Sequence, residues 1–301
     1  MKWSSYSRDK GYGFFLVPGI LLFLVFIIFP FAMNLAVSFT KWSGVGIPKF
    51  IGAENYIKAI GDATFWASFQ NNLLLIFSMT IVPGIIGLIL SVVLYDYVAK
   101  RIGEKTANFF RAGFYLPQII PVVVAGVVWK WILQPNWGAL NWLLTSIGLE
   151  GLARNWLGES STALPSVMAV LVWFQIGYPL VIFIAALQRI DPEIYESAAI
   201  DGASWWRVFC NITIPQIRPE VSVVILTTVI HSLKIFGPIY AMTKGGPGTD
   251  TIVASYFSYK NFFEKSNVGY GATMSTILSL IIILLTVVYI SIQTNQELKE
   301  N

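Results

Sequence analysis

A chain of 301 residues that is 55% apolar and only 12% charged, with mean hydropathy +0.66, has too few polar residues for a soluble domain and is predicted to be a polytopic membrane protein. The net charge of +4 and pI near 9.0 are then expected from basic residues at membrane boundaries, not from nucleic-acid binding. One cysteine, Cys210, and one histidine, His231, argue against a disulfide framework, a Cys-rich metal site and a His-based metal centre.

Six apolar windows are long enough to cross a hydrocarbon core at ~20 residues each: 14–38, 71–98, 109–133, 164–187, 219–242 and 270–293. The expected layout is an N-terminal stretch 1–13, a six-helix transmembrane domain 14–293 and a C-terminal tail 294–301. The first window is too long for a signal-peptide core and has no small-residue cleavage site after it, so it is expected to stay as a helix. Lys and Arg set the orientation. The most concentrated group, Lys100, Arg101, Lys105 and Arg111, falls on the same side as both termini and as Arg189, Arg207 and Arg218, so that side is predicted to be cytoplasmic.

The third window carries Pro117, Gln118 and Pro121, and the fourth carries Trp173, Gln175, Gly177, Tyr178 and Pro179. Proline frees a backbone carbonyl, which is tolerated in a membrane where a neighbour or a wet cavity satisfies it. Between these windows, Trp129, Trp131, Trp137 and Trp142 read as an interfacial belt, while Gln134, Asn136 and Gly138 suggest a surface for an external partner.

The segment 191–218 has helical punctuation of its own. Asp191 is a good N-cap and Pro192 suits the first helical position, which predicts a short helix from Pro192 to Ile200. Gly202 supplies a positive φ to end it, and Ser204 caps a second short helix expected to stop before Pro215. Two small helices meeting at a glycine form a rigid knuckle.

In the fifth window Thr227, Thr228, His231, Ser232 and Lys234 are polar groups inside an apolar helix, followed by Phe236 and Pro238. Such groups face a cavity or another helix. Thr228 and Ser232 lie one turn apart on one face; both cavity lining and helix-to-helix hydrogen bonding fit them. Beyond, Met242-Thr-Lys-Gly-Gly-Pro-Gly-Thr-Asp-Thr251 is expected to form a structured reversal.

The spacing Glu196, Ala198, Gly202, Ile212 and Pro215 resembles the EAA loop of ABC importer permeases, with Ser197 where alanine is usual and Ile214 where leucine is usual. Motifs along essentially the whole chain are similar to maltose-type permease subunits of carbohydrate ABC importers, a kind of binding-protein-dependent transport system inner membrane component. They include Phe29-Pro30, Ser38-Phe39-Thr40, Phe50-Ile-Gly-Ala-Glu-Asn-Tyr56, Thr243–Thr251 and Gly269-Tyr-Gly-Ala272.

The resemblance implies an all-α membrane protein of the type I ABC importer permease fold, multi-pass in a bacterial or archaeal cytoplasmic membrane. It implies three kinds of partner besides membrane lipid: a second permease of similar fold, a cytoplasmic ATPase dimer that binds ATP and Mg, and an external sugar-binding protein. This chain has no Gly-x-x-x-x-Gly-Lys-Ser/Thr loop, so no cofactor and no enzyme activity of its own are expected. Coupling to the ATPase is assigned to Glu196, Ser197, Ala198, Asp201, Gly202, Ala203, Ile212 and Pro215. The substrate path is assigned to Thr228, His231, Ser232, Phe236, Gln175 and Tyr178. The outer Gly245-Gly246-Pro247 motif favours a sugar or oligosaccharide; another polar solute, such as a glycerol phosphate or an amino acid, is the alternative.

Overall fold

The computed structural model describes the backbone of residues 10–300 and the side chains of residues 15–294. Lys2 and Arg8 lie outside the described residues, as do the side chains of Lys10 and Lys299. In chain order the elements are α1 (10–38, with a π turn at Leu24–Ile28), β1 (Thr40–Lys41), β2 (Lys49–Phe50), α2 (Glu54–Ile60), α3 (Ala63–Ala99), α4 (Glu104–Ile119), α5 (Val122–Ile132) and α6 (Ala139–Ser146). There follow α7 (Ala163–Leu187), α8 (Pro192–Ile200), α9 (205–216), α10 (Arg218–Leu233), α11 (Gly237–Met242), α12 (Ala254–Tyr259) and α13 (Val268–Glu300). Apart from the antiparallel pair of short strands, in which Thr40 faces Phe50 and Lys41 faces Lys49, the fold is helical, as the composition predicts.

Among the described residues four helices are long and apolar enough to cross a membrane: Phe15–Ser38, Ala63–Ala99, Ala163–Leu187 and Val268–Thr294. Two of the six expected crossings are broken. The third, expected as 109–133, is α4 and α5 bent by 94°. Ile120 sits at φ −75, ψ 134, because the ring of Pro121 pushes the preceding residue out of the helical region. The fifth, expected as 219–242, is α10 and α11 separated at residues 234–236, where Gly237 and Pro238 restart the chain as a new helix.

The described residues divide into two compact units, 10–61 with 258–277 and 62–257 with 278–300. In the first, side-chain amides tie the N-terminal segment to the entry of α13. Asn34 donates through Nδ2 to Thr276 Oγ1 at 2.9 Å and to Ala272 O at 3.3 Å, and Asn55 donates to the carbonyls of Ser38 and Thr40, both at 2.9 Å. Gly269 has to be glycine there, since a Cβ would lie 1.9 Å from Thr40 O.

In the second unit α3 runs between α7 and α10. Gly87 lets α3 approach α7 so closely that a Cβ would be 2.9 Å from the ring of Pro179. Buried Leu94, Val98, Ala107, Leu180 and Ile184 join α3, α4 and α7, and buried Leu233, Ala254 and Leu278 gather α10, α12 and α13. Asn72, fully buried, acts as a clasp: its Nδ2 donates to Ser232 O at 3.0 Å and its Oδ1 accepts from Ala254 N at 2.9 Å. A buried amide with both ends satisfied holds three elements at once.

Candidate functional site

The 191–217 segment folds as a helical hairpin. Asp191 Oδ1 accepts from Glu193 N at 3.0 Å, and Pro192 opens α8. After Ile200 the chain turns at Gly202, whose φ is +70. The Gly202 and Ala203 N–H groups close back onto Ala199 O and Ala198 O at 3.1 and 3.0 Å, satisfying carbonyls that a helix end leaves open. Ser204 Oγ then accepts from Arg207 N and starts α9. The expected stop before Pro215 is not found: α9 passes through a π turn at Phe209–Thr213 and ends in Ile214–Gln216. Pro215 sits in the first turn of that last piece, where its missing N–H costs nothing.

The structure sorts the loop residues by face. Glu196, Ser197, Asp201, Gly202 and Pro215 are exposed, Ala203 and Ile212 are half-buried, and Ala198 is buried at 8% exposure as the floor of α8. Tyr195 points inward; its hydroxyl pairs with Thr213 Oγ1 at 3.2 Å, and burial raises its pKa above the ordinary tyrosine value. Its ring packs with Leu88, Tyr95, Phe209 and Val221 against a core of Val92, Ala186, Leu187, Ile190 and Ile217. That core belongs to α3, α7 and the base of the loop, so the hairpin is fixed to the membrane helices. Lys100 at the end of α3 has its pKa raised, chiefly by its hydrogen bond to Asp96 at 2.8 Å.

Sequence reasoning missed the apolar part of this surface. Ile200 is 87% exposed, and Trp205, stacked on Phe209 at 5.2 Å, and Trp206, tilted against it at 5.7 Å, are exposed as well. Ile200 lies four residues after Glu196 on the same helix, and that spacing was the available signal.

The six path residues do not converge. Thr228 and Ser232 are buried at 2% and 0% exposure inside helix packing. Ser232 Oγ donates to Thr228 O at 2.8 Å and lies 3.5 Å from Met79 Sδ. Gln175, also buried, reaches Thr228 Oγ1 at 3.4 Å, and Gln118 donates to Phe174 O at 2.9 Å. These groups form a polar seam among α4, α7 and α10: within this chain Thr228, Ser232 and Gln175 make helix-to-helix contacts, one of the two roles the sequence left open for Thr228 and Ser232. The reason is angular: their face of α10 is the one turned to α3 and α7. His231 and Lys234 are exposed, Tyr178 pairs with Thr227 Oγ1 at 2.8 Å, and half-buried Phe236 stacks on Tyr240 at 5.5 Å.

The 242–251 reversal is present and ordered. Thr251 Oγ1 donates to Gly246 O at 2.8 Å and pairs with Thr243 Oγ1 at 2.7 Å, while Asn71 Nδ2 donates to Thr249 O and Ile252 O at 3.1 and 2.9 Å. Gly138 has an internal role, not the surface role expected: a Cβ would lie 2.3 Å from Gln134 O. Asn141 behind it bonds Pro135 O, Arg154 O and Trp156 Nε1, which holds the 129–142 segment to 154–156.

Apolar helices broken at prolines, a buried polar seam and a helical hairpin braced on the core define a membrane transport subunit. A family model described as binding-protein-dependent transport system inner membrane component matches residues 97–299. A probable ABC transporter permease protein of Pyrococcus horikoshii is 36% identical over 280 residues, spanning 92% of this chain and 93% of the relative. A probable starch degradation products transport system permease protein of Thermoanaerobacterium thermosulfurigenes is 29% identical over 294 residues, 98% of this chain and 97% of the relative. Among solved structures, a chain of a bacterial alginate ABC transporter, crystallised in complex with an alginate pentasaccharide-bound periplasmic protein, superposes with TM-score 0.79 at 21% identity, covering 94% of this chain and 93% of that one. The chain belongs to the binding-protein-dependent transport system inner membrane component family. It is a permease subunit of an ABC importer, not an enzyme.

Proposed function

We propose that the chain passes a sugar or oligosaccharide, delivered by an external binding protein, across the cytoplasmic membrane together with a second permease, using ATP hydrolysed by a separate ATPase dimer. ATP and Mg belong to that ATPase, and both termini lie in the cytoplasm. The observation that carries the reading is the hairpin at 191–217. Its tip presents Glu196, Asp201 and Ile200 outward while Ala198, Tyr195 and Ile217 bind it to the membrane helices. A carboxylate beside an exposed aliphatic side chain suits a basic, partly apolar cleft. Carbohydrate as the substrate class is supported by the starch-product relative and by the outer Gly245-Gly246-Pro247 motif. Exposed His231 and Thr227, with half-buried Tyr178 and Phe236, supply the hydroxyl, imidazole and ring surfaces that a sugar uses.

The test is Gly202→Trp. Nothing lies within 4 Å of a Cβ built at Gly202, so the indole meets no atom of this chain at its root, and its cost within the chain is the strain of a side chain at φ +70. The variant is expected to reach the membrane yet lose ATP-driven uptake. Wild-type uptake and wild-type ATPase stimulation in this variant would sink the assignment.

A further inference from the structure

Two side-chain bonds cross the hairpin, one inside the other, both centred near Ser204. The inner one joins Tyr195 OH on α8 to Thr213 Oγ1 on α9 at 3.2 Å. The outer one is the ion pair between Arg189, just after α7, and Glu220, in the first turn of α10. Between them in sequence, Ile190 and Ile217 are both buried in the same core cluster. The loop is therefore closed at its neck by a charge pair, then by an apolar cluster, then by a hydroxyl pair.

Without such closure, a loop of this length would absorb a push at its tip by flexing at its two ends, because each end is held by a single backbone crossing. With the neck closed, α8 and α9 become one body with the end of α7 and the start of α10. The Arg189 side chain is 68% exposed, and so exposed a cation contributes little to folding. Glu220 is different: its side chain is 19% exposed, and its Oε2 is buried with no hydrogen-bond partner. The first turn of α10 favours a negative charge there, and Arg189 is the cation placed beside it.

We propose that Arg189–Glu220 and Tyr195–Thr213 are positioning pairs that set how much of the ATPase's movement reaches α7 and α10. The proposal rests on the coupling role given above to the hairpin. Its energetic signature is stiffness, not stability.

The test uses the native exposed Cys210 on α9 and a second label at Val223→Cys, an exposed position on α10. Spin labels at the two sites in the full-length chain are expected to give one narrow distance distribution. Arg189→Gln combined with Tyr195→Phe is expected to broaden it roughly twofold, and the charge swap Arg189→Glu with Glu220→Arg is expected to restore most of the narrow width that Arg189→Gln alone loses. In the complex with its ATPase, reconstituted with the binding protein and maltotriose, the double variant is expected to hydrolyse ATP at the wild-type rate while moving about half as much sugar per ATP. An unchanged distance width in the double variant overturns the proposal, as does a swap that broadens it further. A wild-type complex that imports no maltotriose counts against that trisaccharide as cargo and leaves the distance result to decide the bracing.

Discussion

Asn72→Leu keeps the volume of a buried side chain and deletes its hydrogen bonds. The amide joins α3 to the end of α10 through Ser232 O at 3.0 Å and to the start of α12 through Ala254 N at 2.9 Å, and its own exposure is 0%. Losing the bond to Ser232 O costs about 0.5–1.5 kcal/mol. The Ala254 N–H is left worse placed: Ala254 is 2% exposed and begins a helix, so no intrahelical carbonyl replaces Oδ1, and stranding it costs roughly 1–3 kcal/mol. Together these come to about 1.5–4.5 kcal/mol. SDS titration of the detergent-solubilised chain, followed by tryptophan emission, reads the change directly. Leu73→Ala, on a side chain 66% exposed within this chain, serves as control and is expected to move stability by less than about 0.5 kcal/mol. An Asn72→Leu variant as stable as the control would refute the claim that this amide is a clasp.

Four further outcomes follow from the geometry. Ser232→Ala is expected to leave the uptake KM unchanged because its hydroxyl is spent inside α10, whereas Tyr178→Phe or His231→Ala is expected to raise KM about 2- to 10-fold for a lost bond of about 0.5–1.5 kcal/mol; the reverse pattern in vesicle uptake would return the path to the Thr228 face. Gly138→Ala is expected to cut the yield of folded protein, since its Cβ meets the Gln134 backbone, and full yield on size-exclusion chromatography would contradict that. For Tyr195, a folded pKa raised above the unfolded value near 10 means that the stability is present below pH ~10 and lost as pH rises through the folded pKa; the melting temperature of the wild type is expected to fall more steeply as pH rises above ~10 than that of Tyr195→Phe. Reporters fused after Lys105 or Arg207 are expected to read cytoplasmic, and those after Trp142 or Gly248 external; the opposite pattern would overturn the orientation.

The loop was legible because its signals are local: Asp191, Pro192, Gly202 and Ser204 each act on the two or three peptide groups beside them. The apolar windows were legible for the same reason. What was not legible depended on who sits opposite. Periodicity put Thr228 and Ser232 on one face of a helix but said nothing about whether Met79 or open space faces them. Pro121 was read as a kink, yet with Ile120 pushed into extended geometry it makes a corner of 94°. At Pro238 the break is of another kind: α10 ends at Leu233, and Gly237 and Pro238 open a new helix. Gly138 carries no composition signal at all: only the approach of the Gln134 carbonyl shows why a side chain is forbidden there.

The first compact unit also bears on how the chain is made. Asn34 bonds Ala272 and Thr276 across sequence separations of 238 and 242 residues, and Thr273 bonds Ser38 across 235. A nascent chain emerges from its N-terminus, so the amide of Asn34 enters the membrane long before its partners exist. Until α13 arrives, the first helix holds polar groups that lipid does not satisfy. A chain cut before residue 268 is thus left with a recognisable defect in its first helix, and quality-control proteases are expected to remove such a product while leaving the full-length chain alone. Closure of the first segment by the last makes completion of synthesis a condition for the permease to persist.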